Sequence, residues 1–290
     1  WKPPMPQKRS ANRINTLKMQ AVDKLTGEGG RKVELEQILK RLAEQVAAVD
    51  RNITPTQPHY IPSIGTSSEP TIVERLISEW EKAHPEEMAN VVLKKRGNGK
   101  DGCFEIKYPE AEKGSRKRLD FGFSSNSAPQ GCDNQEDLEW AIEFKKINWV
   151  GGTGTDQAER AVGKLCSPYP ATGPILDDAL RVKKHSYGRR FAVILLSPDV
   201  HPDQLEKCRN HPKRKERWYP EKENDRIIAL SNTFKKNNGI AFEAEPVLPL
   251  VEAIFDYKGI QFSRGKVRRI VDLDSHPNFS RLTIVGWEIM

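Results

Sequence analysis

Two acidic residues and a lysine stand out because of where their neighbours place them. In residues 118–124 (RLDFGFS), Leu119, Phe121 and Phe123 alternate with other positions, and Asp120 falls on the opposite side from them. In residues 139–149 (EWAIEFKKINW), Trp140, Ile142 and Phe144 alternate in the same way. A strand's period of two then sends Glu143 and Lys145 together to the other face. Charged groups inside so apolar a strand need a partner or a task, because an unpaired buried charge is costly. Carboxylates from two neighbouring strands can hold a hard cation such as Mg²⁺ through oxygen and leave room for water and a phosphate. Such an ion acidifies bound water and offsets charge on a phosphoryl oxygen. A lysine beside it can orient the water and stabilise the transition state. The chemistry these three residues predict is hydrolysis of a phosphodiester. The competing reading is a structural ion pair between Glu143 and Lys145 on a solvated sheet face. Buried ion pairs are poor stabilising devices, which favours the chemical reading.

The elements that must position these groups follow from hydrophobic spacing. Residues 33–49 carry Val33, Leu35, Ile38, Leu39, Leu42, Val46 and Val49 at helical intervals. This helix either packs on its own domain or pairs with a second copy; it is too short to argue for a coiled coil. Residues 52–69, with Pro55, Pro58, Pro62 and Gly65, read as a linker. A helix is predicted over 71–84, with Ile72, Val73, Leu76, Ile77 and Trp80 on its apolar face. Three strands follow, at 103–108, 118–124 and 139–149. Helices are predicted over 156–166 and 174–185. The run RFAVILLS at 190–197 holds a continuous apolar stretch, as in a strand covered on both faces. A charged, helix-rich stretch covers 202–236, a further strand 239–247, and short strand-like runs fill 258–290. Helix, three strands, helix, strand predicts an α/β sheet with helices on its faces.

Asp120, followed after a loop by Glu143-Phe144-Lys145, resembles the PD-(D/E)XK nuclease superfamily, and the element order over residues 70–200 is similar too. Leu119 stands where the name-giving proline would be. The resemblance implies a restriction endonuclease-like core with a mixed central sheet flanked by helices. It implies a Mg²⁺-dependent endonuclease on DNA, of restriction, defence or recombination type, with Mn²⁺ able to substitute. Asp120, Glu143 and the backbone carbonyl of Phe144 would bind the metal, and Lys145 would position the water. The first helix in resolvase-like members carries a glutamate that leans toward the metal; Glu74 is the candidate, with Glu79 and Glu81 as competitors. The helix after the E-x-K strand often sends a polar side chain to the site, and Gln157 is chosen for that role. Arg160 and Lys164 on the same polar stripe, together with Lys146, Trp149 and Arg118, are the expected nucleic-acid contacts. A nuclease-like fold that grips nucleic acid without cutting it is the alternative.

Charge and composition agree with that direction without deciding it. The 290 residues carry a formal net charge of +7, which suits a polyanionic partner. Basic clusters recur at Lys94-Lys95-Arg96, Arg116-Lys117-Arg118, Lys183-Lys184, Arg189-Arg190 and Lys213-Arg214-Lys215; any one of them alone reads as solvated surface. The four cysteines contain no CxxC pair, which argues against a disulfide framework or a four-cysteine zinc site. His201, Cys208 and His211 fall one ligand short of a structural zinc site. Gly151-Gly152-Thr153-Gly154-Thr155 lacks the Gly-Lys-Ser/Thr of a phosphate-binding P-loop. No apolar run approaches the ~18 residues of a membrane span. The chain is expected to be cytoplasmic and nucleoid-associated. It begins without an initiator Met, which suggests that some N-terminal sequence is missing. The expected organisation is an N-terminal extension (1–69), a nuclease core (70–247) and a strand-rich C-terminal extension packed on the core (248–290). A homodimer through the N-terminal helix and a larger defence or recombination complex are the expected assemblies.

Overall fold

The computed structural model describes residues 33–53, 61–88, 91–92, 106–107, 118–124, 138–149, 158–166, 174–184, 188–201, 247–263 and 267–290. Its organising element is a six-stranded mixed sheet. In spatial order this contains β1 (Val91–Val92), β4 (Phe121–Ser124), β5 (Leu138–Lys146), β6 (Gly188–Val200), β8 (Phe279–Ile289) and β7 (Val267–Asp272). A separate pair joins β2 (Ile106–Lys107) to β3 (Arg118–Leu119). β5 and β6 run parallel, with Glu143 opposite Val193 and Lys145 opposite Leu195. The other neighbours in the large sheet are antiparallel. Parallel neighbours need a crossover, and α4 (Ala158–Cys166) and α5 (Ile175–Lys183) lie within it.

Residues 192–200 of β6 are buried without interruption, because both faces of the sheet are covered. On one side, α1 (Leu35–Arg51) packs against β7 and β8, and α2 (Glu69–Ala83) packs against α1 and β5. On the other side, α5 packs against β5 and β6, and α6 (Leu248–Tyr257) sends Phe255 edge-on against Trp287. The Trp287 indole N–H donates to Glu252 of α6 at 3.1 Å. The neighbouring residue Gly286 faces the other layer, where a Cβ would stand 3.0 Å from a Leu39 methyl. Alternation along β8 thus marks the two faces. The short α3 (Pro85–Met88) follows α2.

Local chemistry explains where the two N-terminal helices begin. At the start of α1 the Gln37 side chain accepts the Glu34 backbone N–H at 3.0 Å, which satisfies a donor near the helix end. The Ser68 hydroxyl accepts the Thr71 N–H, and Pro70 sits in the first turn of α2, where its missing N–H costs nothing. This helix therefore begins at Glu69, two residues earlier than the hydrophobic spacing alone predicts.

Several expectations change in the folded chain. The apolar face expected to offer a dimer contact is used internally: Ile38, Leu39, Leu42 and Val46 of α1 are at most 1 % exposed. Residues 118–124 do not form one strand; a bend at Asp120 separates β3, paired with β2, from β4, paired with β5. Residues 248–257, expected to belong to a strand-rich tail, form α6. The C-terminal strand β8 lies inside the sheet between β6 and β7 rather than on its outside. Residues 1–32 and 202–236, and most of the expected strand 239–247, lie outside the described residues. Among the described residues no helix is long and apolar enough to cross a membrane.

Candidate active site

β4 and β5 pair with Phe121 opposite Ile142, so their alternating residues share faces. Phe121, Trp140, Ile142 and Phe144 enter the layer under α1 and α2 and are at most 1 % exposed. Glu143 and Lys145 point to the opposite layer, under α5. Asp120, at the bend before β4, reaches the same place. Its Oδ2 accepts the Phe144 backbone N–H at 2.8 Å, and its carboxyl group is hydrogen-bonded to that of Glu143. Burial pushes the Asp120 pKa well above the usual carboxylate range, and the adjacent Glu143 charge and hydrogen bond push it further. Of the two acids, Asp120 is therefore the one whose surroundings more strongly favour its neutral form.

The rest of the site comes from helices. Arg181 of α5 donates from Nε and Nη2 to the two oxygens of Glu143, each at 3.0 Å. Its Nη2 also donates to Asp178 at 2.6 Å, and its Nη1 donates to Asp177 at 3.2 Å. Burial raises the Glu143 pKa, and the Arg181 fork is the largest opposing influence. The Lys145 ammonium stands 2.7 Å from Asp178. Burial disfavours its charge, but Asp178 and Glu69 outweigh that and hold Lys145 above the ordinary lysine value. Asp178 is itself raised by burial against the pull of Lys145 and Arg181. Glu69, in the first turn of α2, accepts the backbone N–H of Lys146. Burial raises its pKa, opposed first by Lys145.

Asp120 and Glu143 thus meet, Asp120 by way of the bend, and Lys145 shares the Glu143 face of β5. Other expected site residues are placed differently. Glu74 is not the helix glutamate at the site; Glu69 is. Glu74 lies five residues on, about 7.5 Å along the axis and well over a third of a turn around it. Glu79 is engaged by Lys82 at 2.6 Å, and Glu81 is exposed. Lys146 is not a nucleic-acid contact: alternation turns it to the face opposite Lys145. There its ammonium donates to the Gly65 carbonyl at 3.0 Å and to the Asn148 side chain, at 3 % exposure. Burial lowers its pKa to about 7. Trp149 is not a stacking platform either. It is wholly buried, and its indole N–H donates to Ser197, which donates in turn to Asp199.

Lys164 of α4 is half-buried and near enough for its charge to act on Glu69. Arg160 and Arg118 are placed only by their elements, α4 and β3. Gln157, residues 151–155, His185, Cys208 and His211 lie outside the described residues.

Sequence spacing missed Glu69, Asp178 and Arg181. The Ser68 cap followed by Pro70 could have moved the start of α2 back and put Glu69 in its first turn. Asp178 and Arg181, three apart on one helix, form a polar stripe whose partner only the fold reveals.

One other acidic group deserves comparison. His84, Glu86 and Glu87 bring ligand atoms within 4.8 Å of one another. The Glu87 carboxylate, however, is already taken by two donors of Arg41 and by the Trp80 indole. This trio also lies beyond the far end of α2 from Glu69, about 20 Å away at the helical rise. Comparison with family models, with curated proteins and with solved structures finds no match to this chain.

Proposed function

We propose that this chain is a divalent-cation-dependent nuclease that hydrolyses DNA phosphodiester bonds on a restriction endonuclease-like core of the PD-(D/E)XK kind. The observation that carries the reading is the hydrogen-bonded pair of Asp120 and Glu143 carboxyl groups with Lys145 on the same face. Two acids this close need a proton or a cation between them. Their hard oxygen donors suit Mg²⁺ or Mn²⁺, so the residues fit the ion. When bound, such an ion supplies Lewis-acid stabilisation of phosphoryl charge and an acidified water. Asp120 and Glu143 would hold it, with the Phe144 carbonyl as a further oxygen. Lys145 would orient the attacking water, its position set by the Asp178 ion pair. Glu69 supplies negative charge next to Lys145 and keeps it protonated. The net charge of +7 favours a polyanionic substrate, and Lys164, whose charge acts on Glu69, would meet a phosphate near the site.

The test is cleavage of supercoiled and linear DNA in Mg²⁺, in Mn²⁺ and in chelator. Wild-type chain is expected to cut only with metal, and Glu143→Gln is expected to bind DNA without cutting it. Cleavage in chelator, or by Glu143→Gln, would reject the assignment. One observation favours a second reading, a nuclease-like fold that binds nucleic acid without cutting: the Arg181 fork already engages both Glu143 oxygens. The same assay separates the two, since that reading expects binding and no cleavage with either metal.

A further inference from the structure

We infer that Arg181 is a built-in counter-cation that competes with a divalent ion for Glu143; this rests on the cation site proposed above. The guanidinium grips both Glu143 oxygens at 3.0 Å and reaches Asp178 at 2.6 Å with the same Nη2. One positive charge thus sits where two buried carboxylates converge, at 1 % and 2 % exposure. A divalent cation needs a carboxylate oxygen at about 2.1 Å. The fork takes one in-plane lone pair of each oxygen, so an ion would have to use a remaining lone pair close beside the guanidinium. Two positive centres a few ångströms apart in a weakly screened interior also repel strongly. Binding of the ion and retention of the fork therefore oppose each other.

The fold supplies a place for the displaced side chain. Arg181 stands in the last turn of α5 with a side chain 24 % exposed, so its head can swing outward without moving the helix. Asp177, one turn earlier and 30 % exposed, is already 3.2 Å from Nη1. Rotation about the long side chain can release Glu143 and Asp178 while keeping Asp177. In the resting chain the fork stabilises a carboxylate cluster that would otherwise repel itself. A divalent ion held there would take over that task.

The competition has a direct readout in metal affinity. Mn²⁺ is titrated calorimetrically into full-length wild-type chain and into Arg181→Gln, with circular dichroism confirming that each is folded. Arg181→Gln is expected to bind Mn²⁺ about tenfold or more tightly, the factor one charge-assisted hydrogen bond carries. Its melting temperature should be lower than wild type in chelator and rise more on adding Mn²⁺. Arg181→Lys, which keeps the charge but cannot fork, should fall between the two and serves if the glutamine variant does not fold. Equal or weaker Mn²⁺ binding by the folded variants overturns the inference while leaving the cation site intact. Absence of Mn²⁺ binding in both wild type and variants overturns the cation site itself, and the inference with it.

Discussion

Lys145 and Lys146 are adjacent, chemically identical residues with opposite surroundings. Lys145 stands among carboxylates that keep it charged, whereas Lys146 is buried beside a carbonyl and an amide oxygen, with its pKa lowered to about 7. The pH consequence of Lys146 has a definite sign. Between about 7 and the ordinary lysine value of 10.5, the unfolded chain holds a proton that the folded chain has released. Stability from this group therefore rises with pH across that window. Below 7 both states are protonated and the full cost of burying the charge is present. Urea unfolding of wild type and Lys146→Met at pH 7 and pH 10 should show wild type gaining on the variant by a few kcal/mol as pH rises. Lys145→Ala should behave differently: it should abolish cleavage while DNA binding survives in a gel-shift assay. Breaking its pair with Asp178 should also cost stability, on the order of 3 kcal/mol. Normal cleavage by Lys145→Ala would remove that residue's assigned role. The strand-borne part of the site was legible because a period of two assigns faces without any tertiary knowledge. Arg181, Asp178 and Glu69 were not, because a helix stripe says which residues lie together but not what lies opposite them.

At the scale of elements, hydrophobic spacing located α1, α2, α5 and the buried strand β6 to within a few residues. It could not say what α1 packs against. An apolar helix face is equally consistent with a second copy or with its own sheet, and the deciding feature is a single residue on a distant strand. Gly286 on β8 lets α1 lie close: a Cβ there would meet Leu39 methyl carbons at 3.0 and 3.1 Å and a Leu35 methyl at 3.2 Å. A strand glycine with free space gains stability when replaced by alanine, by about 0.5–1 kcal/mol. Here Leu39 is fully buried and would have to shift a few tenths of an ångström against packed neighbours, so Gly286→Ala should instead lower stability by about 1–3 kcal/mol. Adding Leu39→Val should recover part of that loss, making the double variant more stable than the sum of single effects predicts. Additive losses would mean that α1 and β8 are not in the tight contact described. The break of residues 118–124 into β3 and β4 was likewise hidden, since alternation continues across Asp120 while its backbone bends to bring the carboxyl group to Glu143.

The whole molecule is more interleaved than the order of its elements suggests. The candidate site lies on the bend before β4 and on β5, α2 and α5, all within residues 69–183, whereas the element order suggested a core cut out at 70–247. The pairing of β6 argues against that cut. Along residues 191–200, β6 is bonded to β8 from the far C-terminal end, and β8 in turn to β7. A fragment ending at 247 would leave β6 as an open edge with a long apolar run, a template for aggregation. It would also strip α6 from one face, and without the N-terminal segment it would strip α1 from the other. Core residues from Ile38 to Trp287 belong to one continuous apolar cluster, so loss of either end exposes the same core. The full chain, or one beginning at residue 33, is therefore expected to unfold in a single cooperative transition in urea. The 70–247 fragment should show none and should run as aggregate on size exclusion. A monomeric fragment with a sigmoidal transition would show that the C-terminal strands and α1 are accessories to a self-sufficient core. It would also place the carboxylate cluster within the reach of a much smaller fold.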